Sequence, residues 1–123
     1  MLTREKLNKD YKLLQSSDFT QVFHNPIKKN GISYDEYIIT DKELNILTSI
    51  KFQMGNFKEK GVNGVLMENL LNICVNQLEC FQDSNLACKD NEKALANLEE
   101  ALIHLGNRQK DRIKRKVYGT TKI

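Results

Sequence analysis

Two apolar stripes with helical spacing constrain this chain more than anything else in it. Leu66, Leu70, Ile73, Cys74, Leu78 and Phe81 recur at three- and four-residue steps, with Leu71 and Val75 widening the band. Leu95, Leu98, Leu102 and Leu105 form a second stripe, with Ala94 and Ala101 beside it. Each is the apolar face of an amphipathic helix. The first helix is expected from Asn63 or Gly64 to Phe81, with Asn63 as N-cap and Glu68 near the positive end of the helix. The second starts near Asp90 or Asn91. Only the polar run Gln82-Asp83-Ser84-Asn85 and a few further residues separate them. A link that short makes the two helices antiparallel neighbours.

The residues before the helices follow a different period. Phe19, Gln21 and Phe23 alternate with Thr20 and Val22, and Ile46, Thr48, Ile50 and Phe52 alternate over Asn45 to Gln53. Tyr37-Ile38-Ile39-Thr40 is rich in β-formers, and Tyr11 to Leu14 begins another candidate strand. Ser16-Ser17-Asp18, His24-Asn25-Pro26, Lys28-Lys29-Asn30-Gly31 and Asp41-Lys42 read as turns. His24 is expected in a loop or at a strand end. Leu2 and Leu7 would anchor a short helix or an extended arm. The class is α+β: a small N-terminal antiparallel sheet of three or four strands packed on a C-terminal antiparallel two-helix hairpin. Residues 1–61 form the β subdomain. Residues 62–123 form the hairpin with a basic C-terminal segment, carrying dimerisation and ligand binding.

Charge is unevenly placed. The net charge of the 123 residues is only +3, but from Gly106 onward seven bases meet one acid, leaving the body at −3. An acidic body with a basic end points to a local anion site or a docking strip. The small total does not signal a polymeric nucleic acid as partner. The three cysteines, Cys74, Cys80 and Cys88, have no C-x-x-C spacing, and His24 and His104 are far apart in sequence, so no metal set is expected. The first twelve residues lack an apolar signal segment, and no apolar run nears the roughly 20 residues needed to span a membrane. The expectation is an intracellular, reduced protein with Cys74 buried on its helix.

Arg108, Arg112 and Arg115 fall at i, i+4 and i+7. If the helix continues through Gly106-Asn107, they make one basic ridge, and guanidinium forks suit phosphate. If it kinks or ends there, they do not. Phe81 would offer a stacking face for a base, and Asn91 either caps the second helix or meets a base edge or ribose. Asn91 and Arg108 are 17 positions apart, about 25 Å along a helix. One chain therefore does not bring Phe81 and Asn91 to the ligand held by Arg108 and Arg112. Two antiparallel hairpins do, with a site at each end of the dimer.

The ordered set Asn63-Gly64-Val65, Glu68, Leu70-Leu71, Leu78, Phe81-Gln82, Ala87-Cys88, Asn91, Ala94-Leu95, Leu98-Glu99-Glu100-Ala101, Arg108, Asp111-Arg112, Arg115, Val117 and Gly119-Thr120 resembles the phage Thoeris anti-defence sponge family. Over the hairpin it is also similar to the anti-CBASS sponge of cyclic nucleotides. The resemblance implies a protein without catalytic residues, metal or cofactor. It would act in the host bacterial cytoplasm, binding the glycocyclic ADP-ribose made by TIR-domain proteins of Thoeris immunity and holding it intact. It implies that Phe81 and Arg108 sandwich the adenine, Asn91 hydrogen-bonds the ligand, Arg112 and Arg115 meet phosphate, and Asp111 orients the arginines. It further implies helix-mediated homodimers, and in some members hexamers with separate sites for cyclic oligonucleotides. The competing classes are a sponge for those oligonucleotides, an enzyme cleaving the signal through His24, His104 or Asp111, and a nucleic-acid-binding module using the basic tail.

Overall fold

The architecture is that of a computed structural model describing residues 3–29, 32–118 and 120. Leu2, Asn30, Gly31, Gly119 and Lys122 lie outside the described residues. The elements are α1 (Arg4–Asp10), β1 (Lys12–Ser16), β2 (Thr20–Lys29), β3 (Ile32–Asp41), β4 (Ile46–Lys51), α2 (Phe57–Lys60), α3 (Met67–Gln82) and α4 (Lys89–Lys114). They fall into two compact units. One is Met1–Met54 with Asn63–Val65, the other Gly55–Val62 with Leu66–Ile123.

The first unit is an antiparallel meander in the order β1-β2-β3-β4. The alternating segments become strands as expected, but β2 runs on through His24-Asn25-Pro26, where a turn was expected. His24 pairs with Lys12 on one side and Tyr37 on the other, and Pro26 lies opposite Asp35. The reason is positional. Pairing with β1 ends at His24, so beyond it β2 is an edge on that side, where proline is tolerated. His24 is thus a mid-strand residue, its ring stacked on Tyr37 with centroids 6.1 Å apart.

Phe23 and Ile38 are cross-strand partners on one face, and Leu7 of α1 completes the buried cluster they form. Thr3 caps α1, accepting the Lys6 N–H at 3.2 Å. Tyr11 and Leu44 pack at the rim of the cluster. Thr40, also buried, donates its hydroxyl to the Asp41 carbonyl at 2.8 Å. The Asp41 turn forms as expected. Its carboxylate accepts the N–H groups of Glu43 and Asn45 and the Asn45 amide, each at 2.9 Å. Chiefly the Asn45 side chain, then its N–H, holds the Asp41 carboxyl below its usual range. Leu44 takes a left-handed φ of 65° there. β4 is less covered than its alternation suggested: Ile46 and Thr48 are exposed, and only Ile50 and Phe52 are half-buried.

Past β4 the chain leaves and returns. Val65 pairs with Phe52 in a parallel bridge, donating to Lys51 O at 2.9 Å and accepting from Gln53 N–H at 3.0 Å. A Cβ on Gly64 would sit 2.5 Å from the Phe52 carbonyl carbon, so only glycine fits this approach. Asn63 is not a helix cap. Its side chain accepts from Met54 N–H and donates to Met54 O, both at 2.8 Å, which commits it to the returning segment. α3 begins later, after Leu66, whose N–H donates to the Asn69 side chain at 2.8 Å.

In the second unit α3 and α4 pack together across a short link, forming a helical hairpin. Gln82 exchanges two hydrogen bonds with the Cys88 backbone at 3.1 and 3.2 Å, fixing the tip. The Leu95, Leu98, Leu102 and Leu105 stripe of α4 is half-buried, as its spacing predicts. On α3 the covered residues are Leu70, Leu71, Val75 and Leu78, while Ile73 and Cys74 are exposed. That corrects the expectation of a buried Cys74. The packed face is rotated toward Leu71 and Val75, the residues that had only seemed to widen the stripe.

Leu7→Ala removes the one helical side chain of the buried cluster and is expected to destabilise the first unit by about 2–4 kcal/mol, measured by urea denaturation. Tyr11 donates its hydroxyl to Glu36, and burial, then the Glu36 hydrogen bond and charge, push its pKa up to about 12. The folded pKa lies above the ordinary 10.0. The corresponding stability is therefore complete below pH about 10 and is lost as pH rises toward about 12. A pH series of denaturation midpoints should show that fall, and Tyr11→Phe should flatten it.

Candidate functional site

α4 is one unbroken helix from Lys89 to Lys114, so Gly106-Asn107 is not its end. Nothing lies within 4 Å of a Cβ placed on Gly106. The helix therefore carries candidate residues at both ends, separated by about 25 Å of helical rise between Asn91 and Arg108.

At the tip, Phe81 closes α3 and is 41% exposed. Cys88 caps α4, its Sγ accepting the Asn91 N–H at 3.4 Å. The Asn91 side chain donates to Leu86 O at 3.1 Å, so its amide braces the link, leaving its carbonyl oxygen as an acceptor. At the opposite end Arg108 and Arg112 line a cleft of about 170 Å³ wholly within the second unit. Leu105 and Gln109 of α4, Glu68 of α3, Phe57 of α2 and Tyr118 of the tail share its wall. Two guanidinium groups against one carboxylate leave the cleft net positive.

The tail is built by the helix end. Val117 N–H bonds to Arg112 O at 2.9 Å and Lys116 N–H to Ile113 O at 3.0 Å, with Lys116 at a φ of 61°. That is a Schellman stop with lysine in the position glycine usually takes. The turn sends the chain back along α4. Arg112 Nη2 then donates to Val117 O at 3.1 Å and Thr120 O at 2.8 Å. Gln109 Nε2 donates to the Tyr118 hydroxyl at 2.6 Å. Tyr118 lies beside Phe57, ring centroids 6.5 Å apart and planes tilted by 41°.

The expected single ridge is thus divided in use. Arg108 and Arg112 share the cleft. Arg115 caps α4 and pairs with Asp111 at 2.9 Å, and neither lines the cleft. Such an exposed pair contributes little. His104 contacts Glu100 on its own helix at 3.1 Å. Among the described residues no group of three His, Cys, Asp or Glu is placed to hold a metal, and no helix is long and apolar enough to cross a membrane. In the sequence Phe57, Gln109 and Tyr118 stand outside the candidate binding set, and Glu68 reads only as a helix-end charge. The available signal was an aromatic standing alone in a basic tail.

The family model for the Acb2/Tad1 hairpin domain matches residues 45–109. Thoeris anti-defense 1 of Bacillus phage SBSphiJ7 is 40% identical over 74 residues, which cover 60% of this chain and 52% of that protein. The chain spans about half the length of the curated relative it matches. The family match takes in the tip, α3 and Arg108, and ends before Arg112 and the tail.

Gly106→Ala is expected to stabilise the second unit by about 0.5–1 kcal/mol, since helical alanine costs less entropy and the new methyl meets open space. A raised thermal midpoint of the helical signal would show it. A lowered one would mean that α4 needs flexibility at that point.

Proposed function

The chain belongs to the Acb2/Tad1 hairpin-domain family, and from that premise we propose that it is a non-enzymatic phage anti-defence protein. It binds glycocyclic ADP-ribose, the signal made by TIR-domain proteins of Thoeris immunity, and sequesters it intact in the host bacterial cytoplasm. The observation that carries this reading is the cleft holding Arg108 and Arg112 at one end of α4, with Phe81 and Asn91 at the other. At about 170 Å³ the cleft is smaller than the roughly 300–1,000 Å³ of complete ligand pockets. One chain therefore supplies part of a nucleotide site.

A second copy supplies the rest. Antiparallel pairing of two hairpins carries the Phe81 and Asn91 of one to the Arg108 of the other, and does so twice by symmetry. The apolar residues left uncovered on the hairpin suit such a pairing: Met67, Ile73, Leu86, Ile103 and Ile113 are each more than half exposed. In the assembled site the adenine lies between Phe81 and the Arg108 guanidinium, and Asn91 receives a hydrogen bond from the ligand. Arg112 lends positive charge to the phosphates. Arg115, held by Asp111, adds to that field from outside the cleft. Outcompeting a defence effector asks for nanomolar binding or better, about −12 kcal/mol, which stacking and charge-assisted bonds in a preformed pocket can reach.

Calorimetric titration with glycocyclic ADP-ribose should give tight binding, and heat-denaturing the complex should return the nucleotide unchanged. Altered nucleotide would make the protein an enzyme. Tight binding of cyclic oligonucleotides alone would make it the other kind of sponge. Phe81→Ala and Arg108→Ala should each weaken binding by about a hundredfold. An equimolar mixture of the two variants, unfolded and refolded together, should regain about a quarter of the wild-type sites, because half the dimers are mixed and each holds one intact site. Recovery of none would rule out a site shared between copies.

A further inference from the structure

We propose that Tyr118 is a ligand-binding residue that donates its phenolic proton to a phosphate oxygen in the cleft, and that Arg112 is a positioning residue holding the tail that presents it. The inference rests on the nucleotide-sequestering reading above and adds a residue and a division of labour to it.

Three observations carry it. First, the Tyr118 hydroxyl is an acceptor in its bond from Gln109 Nε2 at 2.6 Å. A phenol that accepts from an amide keeps its own proton to give elsewhere, and Tyr118 belongs to the wall of a cleft whose balance is positive. Phosphate oxygens are strong acceptors with no proton to offer in return. Second, the ring is set before any ligand arrives. It is braced by Phe57 at 6.5 Å and by Gln109, which also lines the cleft. A donor already oriented loses little rotational freedom on binding.

Third, Arg112 is spent in another way. Its Nη2 grips Val117 O and Thr120 O, the carbonyls on either side of Tyr118. Val117 O also receives the Thr120 N–H and hydroxyl, so the tail closes on itself around this one guanidinium nitrogen. Moving Arg112 Nη2 onto a phosphate would surrender both carbonyls and release the segment bearing Tyr118. Its charge favours an anion from the cleft wall where it stands, while its Nη2 hydrogen bonds serve the tail. Arg108 belongs to no ion pair among the described residues and remains the guanidinium that meets the ligand.

The test is calorimetric titration of wild type, Tyr118→Phe, Arg112→Gln and the double variant with glycocyclic ADP-ribose, with amide hydrogen exchange of residues 116–118 and 120 on each ligand-free protein. Tyr118→Phe keeps the ring and the fold. It should bind about ten- to a hundredfold more weakly, the worth of one hydrogen bond to a charged group. Arg112→Gln should bind at least as weakly and should exchange the tail amides faster. The double variant should bind no more weakly than Arg112→Gln, because a released tail no longer presents residue 118. Wild-type affinity in Tyr118→Phe would overturn the role of Tyr118. Losses that multiply in the double variant, or tail exchange unchanged by Arg112→Gln, would overturn that of Arg112. Absence of binding by wild type would overturn the sequestering reading itself, and this inference with it.

Discussion

The hydrogen-bond ladder of α4, continuous from Lys89 to Lys114, is the constraint on which the site depends. A helix is a ruler with a fixed rise. Because the ladder survives Gly106-Asn107, Asn91 and Arg108 stand at a set distance and cannot share a small ligand within one chain. Because it stops in a Schellman turn at Lys116, the chain folds back within reach of Arg112. The same element thus separates one half of the proposed site from the other and assembles the wall around Arg108. A helix that ended at Gly106 would have done neither.

Packing within the hairpin is economical. Neither α3 nor α4 has a fully buried side chain. Leu71, Val75 and Leu78 meet the leucine stripe of α4 only to the point of half-burial. The sheet unit has a true centre in Leu7, Phe23 and Ile38, small enough that a single short helix covers it. Apolar area left in water is a standing free-energy gain for whatever covers it. In the hairpin that gain remains available to association through residues such as Met67, Ile73 and Ile103.

Much of this was legible in the sequence, for identifiable reasons. The leucine stripe of α4 and the alternation of Ile46, Thr48 and Ile50 carry strong periodic signals, and the helix and strand they predicted are present. The Asp41 turn was visible because an Asx side chain bonding its own backbone is a local event. What escaped depended on distant partners. Asn63 has the side chain of a cap but is claimed by Met54, nine residues earlier. Pro26 reads as a break until pairing with β1 is seen to stop at His24, two residues before it. α1 has too few apolar residues to show a period, so the sequence left a short helix and an extended arm both open. At the site, the arginine spacing marked Arg108 and Arg112 correctly as neighbours but could not reveal that a lysine would adopt a left-handed turn and bring Tyr118 back beside them.

The return of Asn63–Val65 to the edge of β4 has a consequence for how the chain is made. The sheet unit is not finished when β4 emerges from the ribosome. Its last backbone bridge waits for Val65, and by then Gly55–Val62, which belongs to the other unit, has already been synthesised. The two units are therefore laced rather than strung in series. A cut anywhere between Met54 and Leu66 takes from one unit a piece that the other end of the chain supplies, either the bridge under Gly64 or the Phe57 wall of the cleft. Shuffling such a hairpin onto a new partner by recombination has few clean junctions here, and the least disruptive lie outside this crossing.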